Sequence, residues 1–140
     1  SVSLNLRYGG NALIDRDHRD QAMDAIAEMA SEAERRDVSV VIFPEGTRSR
    51  TGELGDFRVG GLAAIMDAAP NLPIIPAVIE GSWRVFQKNM FPVPYGASVR
   101  VRFGEPISRA VGESPVEVLE RCRTWIDFTL DEWRTAEGAA

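Results

Sequence analysis

The sequence predicts an α/β domain with a mostly parallel sheet and helices on its faces. Predicted strands and helices alternate along the chain, which is the element order of that class. Two strand segments are nearly continuous apolar runs, as parallel strands buried on both faces usually are. The two longest helical segments carry an apolar stripe along one side. With 140 residues, 44% hydrophobic and 26% charged, the chain is predicted to form a single domain, residues 1–140.

The first half of the chain contains a strand end, a helix and a buried strand. Residues 11–14 predict the strand end. Residues 18–36 predict an amphipathic helix, because their apolar side chains recur at spacings of three and four. These apolar residues are Ala22, Ile26, Met29, Ala30 and Ala33. Residues 38–43 form a run of mainly β-branched residues before Pro44, which predicts a strand buried on both faces.

The second half continues the alternation. Residues 61–69 predict a short helix, residues 73–79 a second buried strand, and residues 98–103 a strand with one solvated face. The last helix begins at Ser114-Pro115-Val116-Glu117, which combines a capping box with proline at the first helical position. Its predicted buried stripe consists of Val116, Leu119, Ile126, Leu130 and Trp133. Cys122 lies beside that stripe and is predicted to be a small core residue rather than a nucleophile.

The charge balance limits the possible partners. The net charge of −5 argues against nucleic acid, because binding to the phosphate backbone requires a basic domain. One cysteine excludes a disulfide framework and favours the cytoplasmic side. No apolar run approaches the ~18 residues of a membrane-spanning helix. We therefore expect any membrane contact to be peripheral, at the inner or plasma membrane, or to be made by residues outside this sequence.

The region between Glu80 and Glu105 contains no acidic residue. Its basic residues, interleaved with aromatic ones, are Arg84, Lys88, Arg100 and Arg102. This pattern favours a face that binds anionic lipid or phosphorylated ligands. A solvated loop with ordinary exposed arginines explains the pattern equally well.

The segment most relevant to chemistry is Phe43-Pro44-Glu45-Gly46-Thr47-Arg48-Ser49-Arg50, which follows a predicted buried strand. In α/β folds, ligands bind beyond the carboxyl ends of the strands. Glycine allows close approach of a ligand to the backbone, and the arginine guanidinium matches the geometry of phosphate. The segment therefore predicts an anion site, although Glu45 and Arg48 could instead pair with each other and stabilise a turn.

Residues 43–49 resemble, without a mismatch, the third signature block of the 1-acylglycerol-3-phosphate acyltransferase family. Three weaker similarities follow in the family's order. Residues 10–16 resemble its second block, residues 57–60 its phenylalanine–basic–x–glycine element, and residues 72–79 its fourth block. The resemblance covers roughly residues 10–106 and implies the family's α/β fold.

The resemblance also implies roles for individual residues. The phosphate of the acceptor would be bound by Arg16, Arg48 and Arg58. The glycerol portion would be positioned by Glu45, Gly46 and Thr47. Pro76 would shape the wall near the acyl chain. The implied reaction is direct transfer of an acyl group from acyl-CoA or acyl carrier protein to the hydroxyl of a lysophospholipid, without a metal or cofactor.

The sequence departs from the family at the catalytic histidine. The family's first block is a histidine followed five residues later by aspartate, and the histidine is the general base. His18 is the only histidine here, and Met23 stands five residues after it. We therefore expect no catalytic residue in this chain, a general base upstream of Ser1, and a parent acyltransferase of which this is the carboxyl-terminal part. The alternatives are a non-catalytic phospholipid-binding module and, less favoured, an unrelated α/β phosphate-binding protein.

Overall fold

The computed structural model describes residues 19–47, 49–85, 95–110 and 112–138. Its helices and strands, in chain order, are α1 Arg19–Arg36, α2 Val59–Ala68, β1 Ala77–Glu80, α3 Ser82–Val85, β2 Arg100–Phe103 and α4 Pro115–Gly138. This mixture of helix and strand fits the predicted α/β class. The chain divides into two compact units, Ser1–Pro44 with Arg58–Leu72, and Glu45–Phe57 with Pro73–Ala140. The predicted strand end at residues 11–14 lies outside the described residues.

The first unit is built on the packing of α1 against α2. Its buried cluster comprises Ile26, Ala30, Ile65 and Ala69. Ala30 and Ala69 are completely buried, and their small side chains allow the helix backbones to approach closely. Two polar contacts support the packing: the hydroxyl of Ser31 donates to the carbonyl oxygen of Ala68 at 3.1 Å, and the amide of Asn71 donates to the Glu34 carboxylate at 2.7 Å. Of the apolar stripe predicted for α1, Ala22, Ile26, Ala30 and Ala33 are buried, whereas Met29 is half-buried.

Helix α1 ends in a Schellman motif. Asp37 follows the last helical residue with φ = 53°, the left-handed conformation that reverses the chain direction. The amide of Asp37 donates to the carbonyl oxygen of Glu34 at 3.3 Å, and that of Val38 donates to the carbonyl oxygen of Ala33 at 3.0 Å. Aspartate tolerates this conformation better than most residues, which explains how the helix stops without a glycine.

Residues 38–43 differ from their prediction. They pair with no other strand within the described ranges. Val40 and Ile42 pack against the cluster between α1 and α2, whereas Val41 and Phe43 on the alternate positions are exposed. The segment therefore buries one side only, and the prediction of burial on both faces is wrong. An apolar run predicts extended backbone, but strand pairing depends on a neighbour that the run itself does not specify.

The second unit contains a two-stranded antiparallel sheet formed by β1 and β2. Ala77 lies opposite Phe103, and Glu80 lies opposite Arg100. Hydrogen bonds extend the ladder beyond the strands, because the amide of Gly104 donates to the carbonyl oxygen of Pro76 at 2.8 Å. The amide of Ile107 likewise donates to the carbonyl oxygen of Ile74 at 2.8 Å. Strands were predicted at residues 73–79 and 98–103, and the structure has shorter ones, β1 and β2, that pair with each other in antiparallel orientation. The prediction of a single solvated face for the second strand is wrong, because Val101 and Phe103 are exposed as well as Arg102.

Strand β1 is buried on one face only. Val78 and Glu80 are buried, whereas Ala77 and Ile79 are exposed. Val78 packs against three side chains of α4, namely Ile126, Leu130 and Trp133. The prediction of two buried faces is wrong here as well, because the described residues place a helix on one side of this sheet and leave the other side uncovered. A mostly parallel sheet is not shown by the described residues.

Helix α4 confirms the predicted capping box. The amide of Glu117 donates to the hydroxyl of Ser114 at 3.3 Å, and the amide of Ser114 donates to the Glu117 carboxylate at 3.0 Å. Each side chain thereby satisfies a backbone donor that the helix cannot. Of the predicted stripe, Leu119, Ile126, Leu130 and Trp133 are buried, but Val116 is 54% exposed. Val116 lies in the first turn at the flank of the stripe, and Val118 is the completely buried residue there.

Cys122 is buried in α4, as predicted for a core residue. Removal from solvent raises the pKa of its thiol above the ordinary value, because burial penalises the thiolate. A thiol that stays protonated is a poor nucleophile. Among the helices in the described residues, none is both long and apolar enough to cross a membrane.

Candidate functional site

Glu45, Gly46 and Thr47 lie at the start of the irregular segment Glu45–Phe57, here called the signature loop. Glu45 and Gly46 are half-buried, and Thr47 is exposed. Gly46 has φ = 65°, so the backbone turns sharply directly after Glu45 in a conformation that favours glycine. Arg16 and Arg48, predicted to bind the phosphate, lie outside the described residues.

The carboxylate of Glu45 is bound to the far end of its own loop. Its Oε2 accepts a hydrogen bond from the backbone amide of Gly55 at 2.8 Å. This bond spans ten residues and closes the loop into a ring. The resemblance implied that Glu45 positions the glycerol portion of the acceptor, and in this structure one of its oxygens is used to hold the backbone.

The other two predicted site residues are described but play different local roles. Arg58 is exposed, precedes α2 as its N-cap residue, and donates from its backbone amide to the carbonyl oxygen of Pro44 at 2.9 Å. This bond places the backbone of Arg58 beside the residue that precedes Glu45. Pro76 is buried immediately before β1, and its carbonyl oxygen receives the Gly104 amide. That Arg16, Arg48 and Arg58 together bind the acceptor's phosphate stays a prediction.

The carboxyl-terminal half of the signature loop is anchored by apolar contacts and by one arginine of α4. Leu54 and Phe57 pack against the cluster around Val78 and Trp133. Arg123 donates from Nη1 to the carbonyl oxygen of Gly55 at 3.2 Å. Its guanidinium also lies over the ring of Phe57, with 5.2 Å between the guanidinium carbon and the ring centroid. The loop is therefore held to α4 on both sides of Gly55.

A second arginine of α4 holds the middle of the loop. Arg134 donates from Nη2 to the carbonyl oxygen of Gly52. The same nitrogen lies 3.4 Å from Oε2 of Glu80, the last residue of β1. Glu80 is only 7% exposed, and a buried carboxylate is costly unless a cation accompanies it. Arg134 thus connects β1, the signature loop and α4.

Trp83 of α3 packs closely against Gly52. A Cβ atom at position 52 would overlap the indole Nε1, and Gly52 has φ = 86°, which other residues rarely adopt. The position therefore requires glycine for two independent reasons. The indole Nε1 is buried and has no hydrogen-bond partner within the described part of the chain.

A cavity of about 320 Å³ opens at this junction. Its walls include Thr51, Gly52, Glu80, Trp83, Arg84 and Arg134. None of the predicted acceptor residues that the structure describes lines it. Because carboxylates and guanidiniums are both present, the cavity has no dominant charge and does not by itself indicate an anion site.

The basic residues between Glu80 and Glu105 divide into two groups. Arg100 and Arg102 both place their guanidinium carbons 5.0 Å from the ring centroid of Trp133, and Arg102 is also 2.7 Å from the carboxylate of Glu132. These two arginines therefore stabilise the packing of β2 on α4. Arg84 is exposed and stacks on Trp83 at 5.2 Å. Lys88 lies outside the described residues.

Arg123, Arg134 and Glu80 were not identified by sequence reasoning. Arg123 and Arg134 fall on the polar side of an amphipathic helix, where charged residues usually face solvent. Their loop partners lie 68 and 82 residues earlier in the chain, so no local pattern reveals the contacts. The one available signal was Glu80, an acidic residue at the end of an apolar strand segment.

Comparison with known proteins identifies the family. The family model described as Acyltransferase matches residues 2–80. The 1-acyl-sn-glycerol-3-phosphate acyltransferase of Cocos nucifera is 36% identical over 94 residues, which cover 67% of this chain and 30% of that protein. The protein of the same name from Pseudomonas aeruginosa is 31% identical over 122 residues, covering 85% of this chain and 46% of that protein.

The 1-acyl-sn-glycerol-3-phosphate acyltransferase of Escherichia coli K12 is 43% identical over 71 residues, covering 51% of this chain and 28% of that protein. In each of these three comparisons the match spans less than half of the relative's own length. No solved structure matches the chain at a significant level. Since the family model covers more than half of the 140 residues, this chain belongs to the Acyltransferase family.

Proposed function

We propose that the chain functions in a 1-acylglycerol-3-phosphate acyltransferase of phospholipid synthesis, where it binds the acceptor. The reaction moves a fatty acyl group from acyl-CoA or acyl carrier protein to the hydroxyl of lysophosphatidate or a similar lysophospholipid. The observation that carries this proposal is the block at residues 43–49, which opens the signature loop inside the region that the family model matches. The three relatives described above are named for the same activity. A mostly parallel sheet is proposed on the same resemblance.

The chemistry requires charge neutralisation and a proton acceptor. In the transfer, the acceptor's hydroxyl oxygen attacks the thioester carbonyl carbon, the carbon–sulfur bond breaks, and the thiol leaves with a proton. Arg16, Arg48 and Arg58 are proposed to neutralise the acceptor's phosphate, for which charge-assisted guanidinium bonds are well suited. Glu45, Gly46 and Thr47 are proposed to orient its glycerol portion, and Pro76 to border the acyl chain. The expectation that the general base lies upstream of Ser1 stays a prediction.

Binding of the acceptor tests the phosphate assignment directly. We expect Arg58→Ala and Arg48→Ala each to weaken binding of a short-chain, water-soluble lysophosphatidate about 10- to 100-fold, the usual effect of losing a charged hydrogen bond. Isothermal titration of the purified 140-residue chain measures the affinity. Arg36→Ala is the matched control, because Arg36 is an exposed arginine at the end of α1. Equal affinities for all three variants would contradict the assignment.

We further propose that the chain acts at the cytoplasmic side of the inner or plasma membrane as a peripheral protein. The support lies in the basic and aromatic residues 82–95, of which Arg84 and Tyr95 are exposed. The absence of acidic residues from position 81 to 104 leaves this segment attractive to anionic lipid. Arg100 and Arg102 are engaged with residues of α4, since both stack on Trp133 and Arg102 pairs with Glu132. The other two basic residues of this region, Arg84 and Lys88, are therefore the cations proposed to meet lipid.

Vesicle sedimentation tests this proposal. We expect the chain to bind vesicles containing anionic phosphatidylglycerol more strongly than vesicles of neutral phosphatidylcholine. Lys88→Ala should weaken binding severalfold, because a cation near an anionic surface contributes about 1 kcal/mol. Tyr95→Ala should also weaken binding, because tyrosine side chains favour the membrane–water interface. Arg36→Ala again serves as the control for the loss of one positive charge. Absence of binding, or equal binding by all variants, would show that residues 82–95 are an ordinary surface segment.

A further inference from the structure

The signature loop has little regular structure of its own to hold it. It runs for 13 residues, and an irregular segment of this length loses much conformational entropy when it is ordered. Two of its side chains bond to nearby amides, since Ser49 accepts from Gly52 at 2.9 Å and Thr51 accepts from Glu53 at 3.4 Å. These local bonds shape the turn around Gly52 but do not attach it to the rest of the unit. That attachment comes from α4 and from the apolar side chains of Leu54 and Phe57.

Arg134 provides the attachment at Gly52. Its guanidinium bonds to the carbonyl oxygen of Gly52 and lies beside the buried carboxylate of Glu80. The side chain of Arg134 is 40% exposed and that of Glu80 is 8% exposed, so the carboxylate is the fixed partner and the guanidinium is oriented by it. Arginine suits this position because its planar group can donate in more than one direction at once.

The attachment continues from Gly52 to the acceptor residues. Three residues after Gly52, the carbonyl oxygen of Gly55 accepts from Arg123 and its amide donates to Glu45. A shift of the backbone at Gly52 would therefore disturb the bond that fixes the Glu45 side chain. Both arginines lie beyond residue 80, where the match to the family model ends.

We propose that Arg134 is a positioning residue for the acceptor site. By fixing Gly52 against Glu80, it holds the signature loop in the conformation in which Gly55 orients Glu45. The proposal rests on the proposed function in one respect, namely that Glu45 serves acceptor binding. The loop contacts themselves are independent of that assignment.

The test compares Arg134→Ala with Arg121→Ala in the 140-residue chain. Arg121 lies on the same helix, donates to the carbonyl oxygen of Ser108 at 2.9 Å and pairs with Glu113 at 2.7 Å, but makes no contact with the signature loop among the described residues. Each variant thus loses one bond to a backbone carbonyl and one ion pair. Comparing the two variants therefore separates a general loss of stability from an effect on the signature loop.

Amide hydrogen exchange measured by NMR provides the readout that needs no ligand. We expect exchange at Gly55 to accelerate about tenfold or more in Arg134→Ala, because a lost charged hydrogen bond has an effect of that order. Exchange at Gly55 in Arg121→Ala should stay within about twofold of the wild type. Affinity for short-chain lysophosphatidate should fall about tenfold in Arg134→Ala alone. Equal Gly55 exchange in the two variants overturns the proposal.

If Arg134→Ala does not fold, Arg134→Lys takes its place, because it keeps a cation beside Glu80 and has only one ammonium group for two partners. Accelerated Gly55 exchange in Arg134→Lys supports the proposal, and exchange equal to the wild type overturns it. If the wild-type chain binds no lysophosphatidate, the proposed function fails, and the exchange result alone decides whether Arg134 positions the loop.

Discussion

The 140-residue chain, assayed alone with lysophosphatidate and an acyl thioester, should show no measurable acyl transfer. A glycerol hydroxyl is a poor nucleophile until a base removes its proton, and positioned proton transfer typically contributes about 10²- to 10⁴-fold in rate. The sequence contains no histidine followed five residues later by aspartate, and its one histidine, His18, has Met23 at that position. Binding of the acceptor is expected to persist, because the residues proposed for the phosphate are all present.

Thioester consumption measured by release of free thiol tests this expectation. A chimera that joins the amino-terminal portion of the Pseudomonas aeruginosa relative to this chain is the informative comparison. The rate of thioester consumption by the chimera should exceed that of the chain alone by at least about 10²-fold, the lower end of the range for general-base catalysis. Activity of the chain alone that disappears in His18→Ala would contradict the expectation. A chimera that binds lysophosphatidate without turning it over would favour the non-catalytic binding module.

Trp133→Ala should be among the most destabilising substitutions in the chain. Trp133 is 8% exposed and packs with Val78 and Leu130, and the guanidiniums of Arg100 and Arg102 lie over its ring. Truncation of a buried tryptophan typically costs about 3 to 5 kcal/mol, because it removes transfer free energy and leaves a cavity. This is a large share of the roughly 5 to 15 kcal/mol by which a domain is usually stable.

Urea unfolding followed by circular dichroism measures this cost without relying on tryptophan fluorescence. Phe128→Ala is the matched control, since Phe128 lies on the same helix and is 68% exposed. Its free energy of unfolding should stay within about 0.5 kcal/mol of the wild type, as is usual for surface substitutions. Similar losses for both variants would mean that Trp133 does not form the centre of this core.

Features encoded within a few residues of the sequence were predicted well. The capping box at Ser114 and Glu117 and the apolar spacing of α1 are local signals, and both elements were found. Strand pairing was predicted poorly, because an apolar run such as residues 38–43 specifies extended backbone but no partner. The local sequences of β1 and β2 likewise do not specify whether the two strands pair in parallel or antiparallel orientation.

In the candidate site, too, local features could be predicted from the sequence and long-range contacts could not. The block at residues 43–49 could be recognised from the sequence because it is continuous. The contacts of Arg123 and Arg134 with the signature loop could not, because they join residues 68 and 82 positions apart. A charged residue on the outer side of a helix has the same local sequence signature whether it meets water or a distant carbonyl oxygen.

The bond between Glu45 and Gly55 has a consequence for the polarity of the site. A carboxylate offers two acceptor oxygens, and Oε2 is already occupied by the Gly55 amide. Oε1 takes no part in that bond. In Glu45→Gln the amide oxygen must keep the Gly55 bond, which leaves the NH₂ group in the place of Oε1 and replaces an acceptor by a donor. If Glu45 binds the acceptor as proposed, this point of the site would accept a hydrogen bond from a hydroxyl, and Glu45→Gln would offer a donor there instead.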